Sequence, residues 1–554
     1  MGTLSTPPNF RGVFRDDREA RAVYAEAAGI QQVWPLAVTV ATAASDVTAV
    51  VHWARAHALP LIPRGSGTSM PGGAIGSGVI LDLSRLRHIG PVDAARQRIW
   101  VEPGVRRDEV DAAARAVGLR FPVDPSSGAF CTVGGMASTN AAGAHSLKYG
   151  SMRPWVTALD CVFSDGVRAT VRRGEATADI PPVSRFLRDV APKIRAADPK
   201  ALRHAGVRKD SSGYAVAEFA ASGEVIDVLV GSEGTLAVLV GLELALCPRP
   251  QATTSLLAAF PSLEMAVRGA AVARRAGASA CEMLDRTFLD LVREATHAGV
   301  AGTMLPDDTE VVLLIELEGE AAQPLASETR SLDRALRGAG ASHVTVALDP
   351  EAETALWDLR HAASPVLARL DPALKSMQFI EDGAVPPDRL ADYVRGVRAA
   401  LARHGVRGAI FGHAGDAHVH VNPLIDVRHT NWRDQVSGLL ADVTSLTATL
   451  GGTLTGEHGD GRLRAPLLEK VWGGAQSAAL PLFAAVKAAF DPEGLFNPGV
   501  KVPTPGEHAI GAVKYDPALP PLPAAARLAL DRVADQRAYT MARLDLLREG
   551  DATS

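Results

Sequence analysis

Apolar and polar positions follow two rhythms along the first 245 residues. Behind Ser45, a residue type that caps helices, Val47, Val50, Val51, Ala54 and Ala58 recur at the spacing of one helical face, which predicts a docked helix. Two short apolar runs, Leu61-Ile62 and Val79-Ile80-Leu81-Asp82-Leu83, read as strands around a loop containing Gly65, Gly67, Gly72, Gly73, Gly76 and Gly78. Asp165-Gly166 separates two alternating runs, residues 159–163 and 167–171, the pattern of a tight hairpin, so part of the sheet is antiparallel. Residues 236–246 form the longest apolar stretch, about half a membrane span and interrupted by Glu243, and read as a buried strand.

Beyond Cys247-Pro248-Arg249-Pro250 the pattern becomes one of helices mixed with runs such as Val311-Val312-Leu313-Leu314-Ile315, which predicts a second domain. After Pro503 the chain is proline-rich and then helical from about residue 524 to 547, a tail expected to dock on the body.

Composition narrows the function classes. A chain of 554 residues is long enough for two to four domains, and 57 basic against 62 acidic residues (net charge −5) give no reason to expect nucleic acid. Cys131, Cys161, Cys247 and Cys281 are too scattered for an iron-sulfur site or a disulfide framework and read as buried thiols in a reducing compartment. The first ten residues hold two prolines and no apolar core, so no secretory signal is read and a cytoplasmic location is expected.

Glycine-dense loops after strands let backbone N–H groups approach an anion, because no Cβ shields them. Pro63-Arg64-Gly65-Ser66-Gly67-Thr68-Ser69 lacks the third glycine of a Rossmann fingerprint, where Met70 stands, and lacks the Gly-Lys of a P-loop. Two further glycine segments follow, residues 125–140 with Gly134-Gly135-Met136-Ala137-Ser138-Thr139, and Val230-Gly231-Ser232-Glu233-Gly234-Thr235-Leu236. In order and content the three resemble the flavin-binding domain of the vanillyl-alcohol oxidase superfamily. The resemblance implies noncovalent FAD, with Arg64, Gly65, Ser66, Gly67, Thr68 and Ser69 around the pyrophosphate. It places Gly134, Gly135, Ser138 and Thr139 beside the ring system and phosphates, and Gly234 and Val238 on the adenosine half. Ala237 and Ala142 depart from the usual glycines, and His145 is not expected to anchor the flavin covalently.

Three of the fifteen histidines fall within eight residues, at His413, His418 and His420. If residues 417–422 form a strand, His418, His420 and Asn422 share one face, while His413 folds back from the preceding turn. Gly456-Glu457-His458-Gly459-Asp460-Gly461 adds a carboxylate and an imidazole whose side chains diverge. Two histidines and a glutamate leave open positions on a divalent ion, the arrangement of a catalytic site, and zinc is the leading candidate. Neither segment is H-E-x-x-H.

With these residues the resemblance narrows to the D-lactate dehydrogenase, glycolate oxidase and D-2-hydroxyglutarate dehydrogenase branch, over roughly residues 37 to 503. It implies that His413, His420 and Glu457 bind the metal, that His458 is the base, and that Arg360, Ser364, Lys375 and Asn422 hold substrate. Asn497, in Leu495-Phe496-Asn497-Pro498-Gly499, would lie near the flavin. The expected fold is α+β, a two-part FAD-binding domain plus an α+β substrate (cap) domain with an antiparallel sheet. The expected division is an N-terminal segment 1–36, an FAD domain 37–247, a cap 251–455 with the metal site, a return to the FAD domain at 456–503, and a helical tail 504–554.

The implied activity is oxidation of a D-2-hydroxy acid to the 2-keto acid. Electrons would pass to an external quinone, cytochrome or electron-transfer flavoprotein. An iron-sulfur partner protein, a homodimer and peripheral association with the inner membrane face are compatible with it, and no transmembrane segment is expected. Two cations, Arg360 and Lys375, would favour a dicarboxylate such as 2-hydroxyglutarate over lactate. The rival readings are a flavin oxidase using oxygen directly and a metal-dependent hydrolase without flavin.

Overall fold

A computed structural model of the chain describes residues 4–177, 179–296, 305–361 and 373–550. In the first part, β1 (Val13–Arg15), β2 (Ala37–Val40), β3 (Leu61–Arg64) and β4 (Val79–Asp82) form a sheet in the order β1-β2-β4-β3, with β2 and β3 parallel to β4. The helix Ala44–Ala56 crosses between β2 and β3 and buries Val47, Val50, Val51 and Ala54. Its start corrects the sequence reading: Ser45 lies inside the first turn, and Asp46 is the residue that accepts the N–H groups of Thr42 and Ala43. A carboxylate three residues into a helix can reach back to these otherwise unpaired donors.

Next come β5 (Arg98–Val101), β6 (Leu119–Arg120), β7 (Val156–Val162), β8 (Arg168–Arg172), β9 (Val238–Ala245) and β10 (Cys247–Pro248). The antiparallel sheet β5-β9-β7-β8 contains the Asp165-Gly166 hairpin, and β6 pairs with β10. The long apolar stretch is the buried strand β9.

The second part is built on one antiparallel sheet of β11 (Ala252–Phe260), β12 (Ala280–Asp285), β13 (Val311–Gly319), β14 (His343–Ala347), β15 (Leu374–Ser376), β16 (Gly383–Ala384), β17 (Arg407–His413) and β18 (His418–Asp426). Its order is β14-β11-β13-β12-β17-β18-β15, with β16 also on β18. Helices Leu263–Arg275, Leu390–Arg403 and Trp432–Thr449 cover this sheet through one continuous apolar core.

The chain then returns. Phe483, Val486 and Phe490 of helix Ala479–Phe490 join the core of the β5–β9 sheet, and Leu495 and Phe496 join that of the first sheet. Leu61 N–H donates to Leu495 O at 2.8 Å and Asn497 N–H to Leu61 O at 2.8 Å, so the return runs beside β3. The tail docks as well, with Ala526, Ala529, Val533 and Leu544 packing against Val23, Tyr24, Ile62 and Ile80. It is not one helix: Ala524–Gln536 and Arg543–Gly550 are separated at Arg537, which adopts a left-handed φ of 53°. No glycine marks this break, so helical periodicity could not show it.

Candidate functional site

A cavity of about 840 Å³ runs along the seam between the two parts. One end is lined by residues 63–70 and the other by His413, His420, Glu457 and His458, with residues 134–145, Glu233 and Gly234 between. All three glycine segments and the histidine cluster therefore face one space.

At the glycine end, the loop after β3 is held by the side chain of Arg64, one of the residues the resemblance places around the pyrophosphate. Arg64 is buried and donates to Ala74 O at 3.1 Å, Glu26 O at 2.9 Å and Tyr24 O at 3.3 Å, so its guanidinium braces the loop from behind. Burial lowers its pKa to about 10. Gly67 has φ +80°, and a Cβ there would come within 2.4 Å of Arg64 Nη2. Gly67→Val is therefore expected to strain the backbone and displace the brace, leaving purified protein with little bound FAD by absorbance. Full flavin occupancy would remove this loop from the assignment.

Gly134, Gly135, Ser138 and Thr139 lie on or beside the cavity wall, in the helix Val133–Thr139 that Thr132 caps through Gly135 N–H. Ala237 and Leu239 also line it, but Val238 points into the core of the first sheet, as alternation along β9 requires. Asn497 is not in the lining: its amide donates to Gly73 O and Glu233 O, tying the return segment to both loops. Glu233, at φ 52°, accepts the N–H groups of Asp460 and Gly461 and the ammonium of Lys501 at 2.9 Å. Lys501 also reaches Asp460 at 3.0 Å, a fully buried triad.

At the other end, β17 and β18 pair His413 with His418 and Phe411 with His420. Alternation along β18 sets His418, His420 and Asn422 on one face, and Asn422 lines the cavity. His420 Nε2 lies 3.4 Å from His413 Nε2 and 3.5 Å from Glu457 Oε1, which is 3.3 Å from His413 Nε2. Two donors about 2.0–2.1 Å from a tetrahedral ion lie about 3.3 Å apart, so this triangle has the dimensions of three metal ligands.

The opposite atoms of these side chains are already committed. His413 Nδ1 donates to Glu282 Oε1 at 2.5 Å, His420 Nδ1 to Glu381 O at 2.9 Å, and Lys209 Nζ to Glu457 Oε2 at 2.7 Å. Each bond leaves the inward lone pair available, the usual way a metal site fixes its ligands. Burial lowers the His420 pKa, and Lys209 and His413 hold the Glu457 carboxyl well below its usual range despite burial. His418 is close enough to join the cluster, but its Nε2 donates to Asp382 at 2.8 Å and burial pushes its pKa down to about 3.

His458 lies beside this triangle, its ring stacked on His420 at 5.3 Å and its Nδ1 3.4 Å from Glu381 Oε1. Burial opposes its charge, but Asp382, Glu381 and Glu457 outweigh that and raise its pKa to about 9. Asp382 accepts the N–H groups of Glu457 and His458, and Arg464 pairs with both Asp382 and Glu381.

Arg360 lines the cavity, with its Nε on Glu282 Oε2 at 2.8 Å and its guanidinium 4.8 Å over the Phe411 ring. Lys375 is not in the described lining; its ammonium stands 5.8 Å over the Tyr515 ring. Ser364 lies outside the described residues. Glu282, which joins the cluster to Arg360, was missed in the sequence, although a glutamate inside the apolar strand β12 was a usable signal. Lys209 offered none. His145 also lines the cavity, held between Asp124 at 2.5 Å and Glu316 at 2.8 Å.

Residues 35–172 match the family of FAD binding domains, and residues 249–500 match that of FAD linked oxidases, C-terminal domain. The chain is 29% identical to the glycolate oxidase subunit GlcD of Bacillus subtilis over 90% of this chain and 94% of that one. It is 28% identical to a probable mitochondrial D-lactate dehydrogenase of Danio rerio, covering 82% of each. It is also 28% identical to a D-2-hydroxyglutarate dehydrogenase of Pseudomonas putida, over 96% of this chain and 54% of that longer one. A solved 4-ethylphenol oxidase from Gulosibacter chungangensis shares the fold, with a TM-score of 0.64 at 15% identity over 89% of this chain and 94% of that one.

Proposed function

We propose, from the premise that this chain belongs to the FAD-linked oxidases of the vanillyl-alcohol oxidase superfamily, that it oxidises a D-2-hydroxy acid to the 2-keto acid with FAD and a divalent metal ion. The observation that carries this reading is the shared cavity, which puts the glycine segments and the donor triangle in one space. Bound FAD supplies the acceptor for the Cα hydrogen and its electron pair, and a bound divalent ion, zinc by the donor set, supplies Lewis acidity at the substrate hydroxyl.

The chain's own residues do the rest. His413, His420 and Glu457 hold the ion, with Glu282, Glu381 O and Lys209 fixing their orientation. His458 receives the hydroxyl proton at Nε2, which faces the cluster 3.9 Å from Glu457 Oε1, while its Nδ1 faces Glu381. A divalent ion held by the triangle would oppose protonation of His458, favouring its role as a base. Arg360 offers its guanidinium to the substrate carboxylate, steadied by Glu282, and Asn422 offers its amide. The two-cation case for a dicarboxylate weakens with Lys375 on Tyr515, so the substrate is a 2-hydroxy acid of lactate or 2-hydroxyglutarate type.

Cys131, Cys161, Cys247 and Cys281 are unpaired, and electrons leave to an external acceptor of quinone, cytochrome or flavoprotein type. Among the described residues no helix is long and apolar enough to cross a membrane.

Removing metal by chelation tests the reading. Treated holoprotein is expected to keep FAD but lose flavin reduction by substrate, with zinc restoring it, and His413→Ala, His420→Ala and Glu457→Ala are expected to lose metal by elemental analysis. An undiminished reduction rate in metal-free protein would overturn the metal's role.

A further inference from the structure

We infer that the C-terminal tail supplies a cofactor-binding residue, Arg537, as a cation for the pyrophosphate of FAD. The inference rests on the reading of the cavity as the flavin site. Arg537 lies outside both family matches, which end at residues 172 and 500, yet it lines the same cavity as the loop of residues 63–70.

Several features place this arginine deliberately. The two tail helices are anchored on the first sheet through Ala526, Ala529, Val533, Leu544 and Leu546, directly behind the strands that carry the glycine loop. Between them the chain turns at Arg537 with φ 53°, a left-handed conformation that an arginine adopts only at a cost in free energy. Tyr539 packs on Phe130 at 6.1 Å, joining the turn to the segment just before the second glycine motif. The turn is thus joined to the sheet that carries residues 63–70 and to the segment before Gly134.

The charge inventory supports a phosphate role. At this end of the cavity the other lining arginine, Arg64, is spent on the carbonyls of Tyr24, Glu26 and Ala74. Arg537 is exposed, and no described residue forms an ion pair or side-chain hydrogen bond with it. A pyrophosphate linker carries two negative charges, and the loop's N–H groups are neutral donors. A guanidinium fork matches phosphate oxygens bidentately and supplies the missing charge.

Titration of full-length apoprotein with FAD and, separately, with riboflavin tests the assignment. Arg537→Gly is the informative variant, because glycine accepts the left-handed turn without strain while removing the charge. We expect Arg537→Gly and Arg537→Ala to weaken FAD binding about tenfold and to leave riboflavin binding unchanged, with Arg537→Lys in between. Thermal melting of the apoprotein should show Arg537→Gly folded and at least as stable as the parent. FAD affinity equal to the parent in Arg537→Gly, or equal losses for FAD and riboflavin, would overturn the assignment while leaving the flavin reading intact. A parent protein that binds neither flavin would overturn both.

Discussion

Replacing His458 by alanine is expected to slow substrate-driven flavin reduction by about two to four powers of ten, while FAD and metal stay bound. His458 stands beside the triangle rather than in it: its ring lies flat against His420, its Nε2 is 3.9 Å from Glu457 Oε1, and Nδ1 is held by Glu381. Truncation removes the proton acceptor but leaves His413, His420 and Glu457, with their partners Glu282, Glu381 O and Lys209, in place. The backbone N–H of His458 still donates to Asp382, so the turn that carries Glu457 keeps its anchor. Rapid-mixing absorbance gives the rate, and elemental analysis gives the metal content. Loss of metal in His458→Ala would make it a ligand instead of a base.

Lys501→Met is expected to destabilise the holoprotein by about 3–5 kcal/mol. Lys501 is fully buried between Glu233 and Asp460, at 2.9 and 3.0 Å, and donates to Ser211 O at 2.6 Å. It joins the third glycine segment, the turn of residues 457–461 and the returning chain. Methionine fills similar volume but leaves two buried carboxylates without their cation, and one of them, Glu233, already has its pKa raised by burial. At about 1 °C per kcal/mol for a chain of this size, the apparent Tm should fall by about 3–5 °C. FAD should also be held less tightly, since Glu233 lines the cavity. A melting temperature within a degree of the parent would show that the triad does not tie the returning chain to the third glycine segment.

Much of this site was legible because its chemistry is dense in the sequence. Three glycine segments stand in a fixed order, and alternation in residues 417–422 correctly set His418, His420 and Asn422 on one face of β18. What sequence could not supply was direction across the fold. Arg64 sits in the expected motif, yet its side chain turns to the carbonyls behind the loop because Tyr24, Glu26 and Ala74 leave unpaired acceptors there. Val238 and Asn497 likewise face the core and the loop backbone, as their packing partners dictate. Glu282 and Lys209, 131 and 248 residues from the side chains they hold, His413 and Glu457, become neighbours of the cluster only through the sheet order and the seam between the two parts. The break at Arg537 depends on where the tail docks, and no local residue announces it.

One cavity holds the glycine loops and the histidine–glutamate cluster, and together they are proposed to oxidise a 2-hydroxy acid. Anaerobic mixing of the purified, metal-loaded flavoprotein with a panel of D- and L-2-hydroxy acids tests it most directly. At least one D-2-hydroxy acid is expected to bleach the flavin absorbance and yield its 2-keto acid in equal amount. A flavin that stays oxidised with every member of the panel would contradict it.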